Sequence, residues 1–481
     1  MSGTGSKKIS KRNIKNTIRN SIPTHSICAT GPLRQTLADT SNEMGNTLKK
    51  KNSLVAVAGA IAVVGATLTA MPAQAAIPSI TVWADAPRLP GAKLYAEIMK
   101  GKVNVKVELH DVADLVQKVA LFNRVKKGWP DVVFGNPNDV AVLQGANNVL
   151  ELDKYAPASF WADMKDGNSW CRGADGKTYC VKNDLAQTVL WVNTKLMKDF
   201  GYTVPKTMDD FAKIGADIAK NHPGYSLGSL GNLGMYSSFL WPSQCPVNQA
   251  KGANVVKIAP KDPKCTRATA LVQPMIDSGV LSTEAPWDAE FLAKYGKANK
   301  VVMTIGPSWF GEFVIRPADS WAVPAGQITA KPMPMWAGEK VNYSGEWGGG
   351  IYTVSPHSKY PKEALAFAIF MVSDKRNVVT VKNPDGSTGA PTFPASKIGN
   401  SLWKAKITAD KYYSEDPYPA MLEQSTKIFP LEKPVSYDSN AAMEGTHSNE
   451  LRKTLKAQTA LDTFATYVTN LAKQVGYKVT Q

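Results

Sequence analysis

Twelve tryptophans stand in the 481-residue chain, all of them beyond residue 76. An indole offers a large rigid apolar face and one N–H donor. Interleaved with carboxylates, amides and arginine, such rings suit ligands such as sugars, which have apolar C–H faces and hydroxyl rims. Asp85 and Arg88 follow one apolar strand pattern, and Asn136, Asn138 and Asp139 follow another. Bond-making chemistry is poorly supplied. A glycoside hydrolase needs two carboxylates roughly 5–10 Å apart, and no motif pairs Asp85, Asp139, Asp184 and Glu346. Gly224-Tyr-Ser226-Leu-Gly228 fits G-x-S-x-G, but that elbow needs a strand before it and a helix after it. Here Asn221-His-Pro223 precedes it and a Gly/Ser-rich segment follows. Beyond residue 76 the histidines are His110, His222, His357 and His447, with no ligand spacing, so neither metal nor cofactor is expected. Plainer roles compete: helix capping for Asp85, Asn138 and Asp139, core packing for Trp83 and Trp191. Seven further tryptophans (129, 161, 170, 287, 321, 336 and 403) carry no assignment beyond packing or surface.

The elements that position these residues follow from periodicity. Ile80–Trp83 reads as a strand, Ala92–Met99 as a helix, and Val103–Leu109 alternates as a second strand. Residues 113–125 carry apolar residues at 115, 116, 119, 120, 122 and 125, an amphipathic helix, and Asp131–Phe134 is a third strand ending at Gly135. This β-α-β-α-β order implies a parallel sheet covered by helices, with ligands beyond the carboxyl ends of its strands. Further along, Thr188–Val192 is extended, Thr207 with Asp210 opens a helix running to about Lys220, and a helix covers Thr266–Ser278. Val301–Ile305 is a strand ending in Gly306-Pro307, and Ala364–Val372 is an apolar helix. From about Asn440 to Val475 apolar residues at 457, 461, 464, 468, 471 and 475 predict a helical segment packed on the body.

The net charge of +16 suggests a polyanion partner until its distribution is considered. Residues 1–75 hold ten basic residues against Asp39 and Glu43, so half the excess lies there and no nucleic-acid partner is expected. Lys49-Lys-Lys51 precedes an apolar run from Leu54 to Met71, followed by Pro72 and Ala73-Gln-Ala75. Basic end, apolar stretch and small-x-small site form a secretory signal peptide. The rival reading is a membrane anchor, since the run just reaches spanning length. Residues 1–75 are thus read as leader and signal peptide, with the true start at Met44 as the simpler account of the polar residues before it. No cysteine follows the apolar run, so no lipoprotein attachment site is expected. The protein is read as exported, to a periplasm or the outer cell surface. Cys28 falls in the leader. Cys171, Cys180, Cys245 and Cys265 remain, an even number that suggests two disulfides with three possible connectivities, local pairing favoured.

Seven segments, in order along about 400 residues, resemble the extracellular solute-binding proteins of bacterial ABC importers, in particular the maltose-binding-like carbohydrate group. They are Ile80–Asp85, Asp131–Gly135, Leu150–Tyr155, Asp184–Asn193, Val204–Asp210, Val302–Trp309 and Gly348–Pro356, the last followed by a Pro361–Phe367 helix start. The resemblance implies an α/β fold of two lobes, each a mostly parallel sheet with flanking helices, around a cleft. It places inter-lobe crossings at Asp184–Asn193, Val302–Trp309 and Gly348–Pro356. One lobe would then take 76–185 plus 305–347, the other 186–304 plus 348–481.

The implied function is capture of a neutral carbohydrate by hinge closure and its delivery to membrane permease subunits, by a monomer with no catalysis. The family's second crossing often sets an aromatic under the sugar, which makes Trp309 the leading candidate, with Glu346 and Trp347 at the third crossing. Gln187, Tyr236 and Trp241 would face Asp85, Arg88, Asn136, Asn138 and Asp139 across the cleft. Alternatives are a polyol, peptide or polyamine binder, an exported glycoside hydrolase, or an adhesin that does not close on a ligand.

Overall fold

Alternating apolar residues near the start of the described chain fold as their period requires. The computed structural model describes residues 76–481 apart from 165, 166, 168, 174, 253 and 431–434; the expected leader, apolar run and processing site lie outside the described residues. Strand β1 (Ser79–Ala84) leads to helix α1 (Leu89–Ile98), β2 (Asn104–Leu109), helix α2 (Leu115–Val125), β3 (Val132–Gly135) and helix α3 (Pro137–Gly145). β1 pairs in parallel with both β2 and β3. Ile80, Val82, Val132 and Phe134 are buried against Leu365 and Phe367 of the helix Pro361–Ser373.

The remaining strands are β4 (Val181–Lys182), β5 (Thr188–Asn193), β6 (Gln249–Ala250), β7 (Val255–Lys257), β8 (Met303–Pro307), β9 (Ile328–Lys331), β10 (Ile351–Val354) and β11 (Lys478–Thr480). The first sheet runs β2-β1-β3-β10-β4, the second β8-β5-β9, and a small third β11-β7-β6. β10 lies antiparallel between β3 and β4. In the second sheet both neighbours of β5 are antiparallel. The expectation of mostly parallel strands therefore holds in the first sheet and fails in the second, where no βαβ unit links β5 to its neighbours.

Strand pairing also corrects the expected division of the chain. Residues 305–347 were assigned with the first sheet, yet β8 and β9 both pair with β5 in the second. Residues from 348 onward were assigned with the second, yet β10 pairs with β3 in the first. Val302–Trp309 is therefore not a crossing. A short apolar strand ended by Gly-Pro reads the same whether the chain leaves the sheet or turns within it.

The second sheet's core gathers Leu190, Val302 and Ile305 with Phe211 and Phe239. Thr207 caps the helix Met208–Asn221, its hydroxyl accepting from the Asp210 N–H at 3.1 Å. The C-terminal segment is helical but not one helix. Leu455 adopts a left-handed φ of 55°, after which Ala457–Gln474 resumes and buries Leu461, Phe464 and Val468 in this core. Cys171 bonds Cys180 and Cys245 bonds Cys265, the local pairing. Among the described residues no helix is long and apolar enough to cross a membrane.

Candidate functional site

Three passes of chain connect the two sheets and lie side by side. Ala186–Thr188 pairs with Gly345–Trp347 through Thr188 N–H to Gly345 O (2.9 Å) and Trp347 N–H to Ala186 O (3.0 Å). On its other side Leu185 N–H donates to Phe393 O (2.9 Å), and Ala395 N–H to Asn183 O (3.2 Å). The pass at 393–395 was not foreseen. Gly348 and Gly349 follow Trp347 with φ of 90° and 81°, a region that favours glycine. A Cβ on Gly349 would stand 2.8 Å from both Glu346 Oε1 and Lys182 Nζ. The backbone must pass this close because Glu346 and Lys182 form a buried ion pair at 2.9 Å.

Several candidates turn out to be committed to the scaffold. Arg88 binds Asp85 at 3.1 Å and Asp184 at 3.3 Å and lies 4.4 Å from the centre of the Phe134 ring. Burial raises the Asp85 carboxyl above its ordinary value, with Arg88 opposing. Asp85 also accepts from the Arg88 N–H at 3.2 Å, which closes the turn ahead of α1; the cap position of α1 is Arg88, so Asp85 does not cap the helix. Asp139 Oδ2 accepts from the Asn136 N–H at 2.7 Å and so closes the first turn of α3. Burial pushes the Asp139 carboxyl up to about 7. Gln187 is fully buried and donates to Met421 O at 2.8 Å. Trp83 and Trp191 are core residues, donating to Glu108 (2.7 Å) and Pro307 O (3.0 Å). Ser226 of the G-x-S-x-G match is fully buried, its hydroxyl donating to Val280 O at 3.1 Å.

Trp309, half-buried, donates through Nε1 to Trp347 O at 2.7 Å, and Trp347 is buried against Phe310. The two rings meet edge to face, 6.1 Å apart, and line none of the cavities described below. Trp309 thus stands beside the Gly345–Trp347 pass with its N–H engaged and its ring part-exposed, while Trp347 is buried.

Asn138, Tyr236, Trp241 and Glu346 do come together. They line a slot with Pro137, Trp170, Leu233, Ser237, Gly348 and Asn440, of about 30 Å³. One wall is the start of α3; the other is the π-helical turn Tyr236–Leu240 with Trp241. The walls touch: Asn138 Nδ2 donates to Ser439 Oγ at 3.1 Å. Trp241 Nε1 donates to Phe429 O at 2.9 Å, and burial raises the Tyr236 phenol well above its ordinary value.

On the far side of Trp170 lies a larger compartment of about 860 Å³ that shares Trp170 and Glu346 with the slot. Gly167, Ser169, Trp170 and Arg172 form one wall, the helices Lys397–Ala409 and Tyr418–Ser425 with Thr426–Pro430 form the other, and Leu185, Glu346 and Phe393–Ser396 form the floor. Sequence reasoning named only Glu346 among these residues. Trp170 carried one available signal: it precedes Cys171 in a hairpin tied by a disulfide. The helical wall carries none, because its serines and threonine fit an ordinary solvated helix face.

A family model described as bacterial extracellular solute-binding protein matches residues 86–377. No curated protein matches the sequence. Solved structures with the same fold include a galacto-N-biose/lacto-N-biose I-binding protein of an ABC transporter from Bifidobacterium longum, in complex with lacto-N-biose. It shows TM-score 0.67 and 18% identity, covering 84% of this chain and 99% of that one. An ABC transporter associated binding protein from B. animalis subsp. lactis, in complex with β-1,6-galactobiose, has TM-score 0.64 and 18% identity over 84% and 100%. A substrate-binding protein from Listeria monocytogenes, in complex with cycloalternan, has TM-score 0.64 and 15% identity over 84% and 100%.

Proposed function

Because this chain belongs to the bacterial extracellular solute-binding proteins, we propose that it is the exported capture component of an ABC-type importer and that its solute is a neutral carbohydrate of more than one sugar unit. The observation that carries the reading is the cleft itself: two walls from two sheets, meeting over a floor of paired crossing strands. Its lining mixes aromatic rings with short neutral hydrogen-bonding groups and two cations, Arg172 and Lys397. Glu346 is the carboxylate among the lining residues, and Lys182 already neutralises it. Among the described lining residues a polyamine would find no free counter-charge, whereas a hydroxyl-bearing solute finds rings and acceptors. The ligands of the three structural neighbours, lacto-N-biose, β-1,6-galactobiose and cycloalternan, support the same class.

Hinge closure is the established movement of such binding proteins. A solute that touches both walls binds the closed form better and shifts the population toward it. Closure would then present both lobes, as a monomer, to the membrane permease subunits.

The test is a thermal-shift screen of the mature protein against mono- and oligosaccharides, polyols, peptides and polyamines. A saccharide at about 100 times its Kd stabilises by about 2.7 kcal/mol and moves Tm up by several degrees. A shift from a polyol, peptide or polyamine with none from any saccharide replaces the reading, and release of sugar product from the bound ligand overturns the non-enzymatic role.

A further inference from the structure

The first sheet has two ends of different character. The carboxyl ends of its parallel strands lead to the cleft: β3 runs directly into α3, whose start walls the slot. At their amino ends three connections meet. The α1–β2 turn lies beside Pro78, whose carbonyl accepts from the Asn104 N–H at 2.8 Å. The α2–β3 connection is tied to the segment after β10. The Trp129 ring stacks on His357 at 3.7 Å, and Trp129 Nε1 donates to Asn123 Oδ1 at 2.8 Å. Ser358 Oγ donates to Asp131 Oδ1 at 2.6 Å. Because β2, β1, β3 and β10 are consecutive neighbours, this pole spans three strand spacings, about 15 Å.

The pole is basic. Lys100 and Lys102 stand on the first connection, Arg124, Lys126 and Lys127 on the second and Lys359 on the third, all exposed. Among the described residues none of the six makes an ion pair, whereas Lys106 and Lys118 of the same lobe are matched with Glu108 and Asp114. On the second lobe Lys213, Lys261 and Lys456 are matched as well. Carboxylates at the pole are fewer. Glu97 is exposed, and Asp131 already accepts from the Thr81 N–H and from Ser358. Lys362 and Glu363 beside them offset each other in charge.

Apolar side chains are bare in the same place. Leu121 is 53% exposed and Val125 47%, one turn apart on α2 beside Arg124, and Ile77 next to Pro78 is 45% exposed. The carbonyl end of a helix attracts cations to its last turn. That accounts for Arg124 and Lys126, but not for the other four cations or for the uncovered apolar groups. Cations interleaved with exposed aliphatic side chains are the composition of a surface that lies on an anionic bilayer, the charges at the headgroups and the apolar groups just below them.

We propose that this pole docks the protein on anionic phospholipid headgroups at the outer face of a membrane, with Leu121 and Val125 entering the interface and the cleft at the other end of the strands left open. The proposal shares with the capture role only the export of the chain and does not depend on the solute.

Flotation of the mature protein, residues 76–481, which holds all the described cores, tests it with two kinds of vesicle. One is phosphatidylcholine alone, the other an equal mixture with phosphatidylglycerol. The protein is expected to float with the mixed vesicles only and to be released as salt is raised. Each cation near such a surface is worth about fivefold in partition, so Arg124→Glu/Lys126→Glu/Lys127→Glu should lose at least about tenfold. Lys198→Glu/Lys220→Glu/Lys473→Glu changes the net charge equally, from the last turns of three second-lobe helices, and should lose less than about threefold. Lys100→Glu/Lys102→Glu serves if the first variant does not fold. Leu121→Ser/Val125→Ser should weaken flotation at least about threefold. A wild-type protein that stays with neither vesicle, or equal losses in the two triple variants, overturns the surface. If Leu121→Ser/Val125→Ser floats like the wild type, the pole reads charge alone and the bilayer is overturned in favour of a soluble polyanion. The solute-induced thermal shift should persist in every variant, so the capture role and the docking surface fail separately.

Discussion

The two sides of Trp170 are built from different kinds of residue. On the slot side the polar side chains sit where strands end and helices begin, and the backbone has already claimed them. Asp139 serves the Asn136 N–H, Trp241 serves Phe429 O, and nearby Trp309 serves Trp347 O. On the other side, polar groups sit along helix surfaces, where the backbone needs nothing from them except an acceptor for their own protons. A polar residue at an element's end is consumed first by the orphan groups of that end. What remains free for a solute lies further along the element.

Arg88 offers the hardest way to break this comparison. If it belongs to the scaffold, Arg88→Met strands Asp184, whose side chain is 2% exposed, beside Asp85. Removing one partner of a buried pair costs about 3–5 kcal/mol. Urea unfolding should show that loss, with any protein that remains folded still binding its solute. Full stability with lost binding would return Arg88 to the ligand.

The two disulfides sharpen the contrast. Cys171→Ser/Cys180→Ser opens a loop of sequence separation 9 and Cys245→Ser/Cys265→Ser one of 20, so each double variant should lose about 2–3.5 kcal/mol. Only the first pair holds Trp170 in place. The first variant should weaken saccharide binding about tenfold, the second less than threefold. Equal effects on affinity would mean that the hairpin acts through stability alone.

How much of this was legible beforehand follows from the same physics. β1, β2, β3 and their helices were readable because one face of each is buried, and burial on one face writes a period into the sequence. Thr207 was readable because a capping hydroxyl and an acidic residue three positions on are a local signal. Which sheet receives β8 or β10 is not local. Both are short and fully buried, and no period tells an antiparallel partner in the second sheet from a parallel one in the first. Tyr236, Trp241, Asn138 and Glu346, expected near one cleft, do line one slot. Trp309 was placed by analogy with a crossing that does not cross here. Ser401, Ser425 and Thr426 were illegible because nothing local separates a serine facing a cleft from one facing water.

Asp139 gives the smallest effect and the most direct reading of what capping costs. Its carboxyl is buried and is raised to about 7, chiefly by desolvation, with the charge of Asp438 adding to the rise. In the unfolded chain it titrates near 4. A carboxyl that binds its proton more tightly when folded contributes stability fully below pH 4 and loses it as pH rises through 7. Asp139→Asn keeps an oxygen for the Asn136 N–H and carries no charge to desolvate. The variant should match the wild type near pH 4 and exceed it by about 1–3 kcal/mol at pH 8, less about 0.3–1 kcal/mol for the lost charge at the helix start. His110 and His447, both buried and lowered to about 4, lose stability in the opposite direction as pH falls below 6.5. They do so in both proteins, so the difference between variant and wild type isolates Asp139. A difference that stays flat from pH 4 to 8 would mean that the carboxylate reaches water, and that the slot is open enough to take a ligand after all.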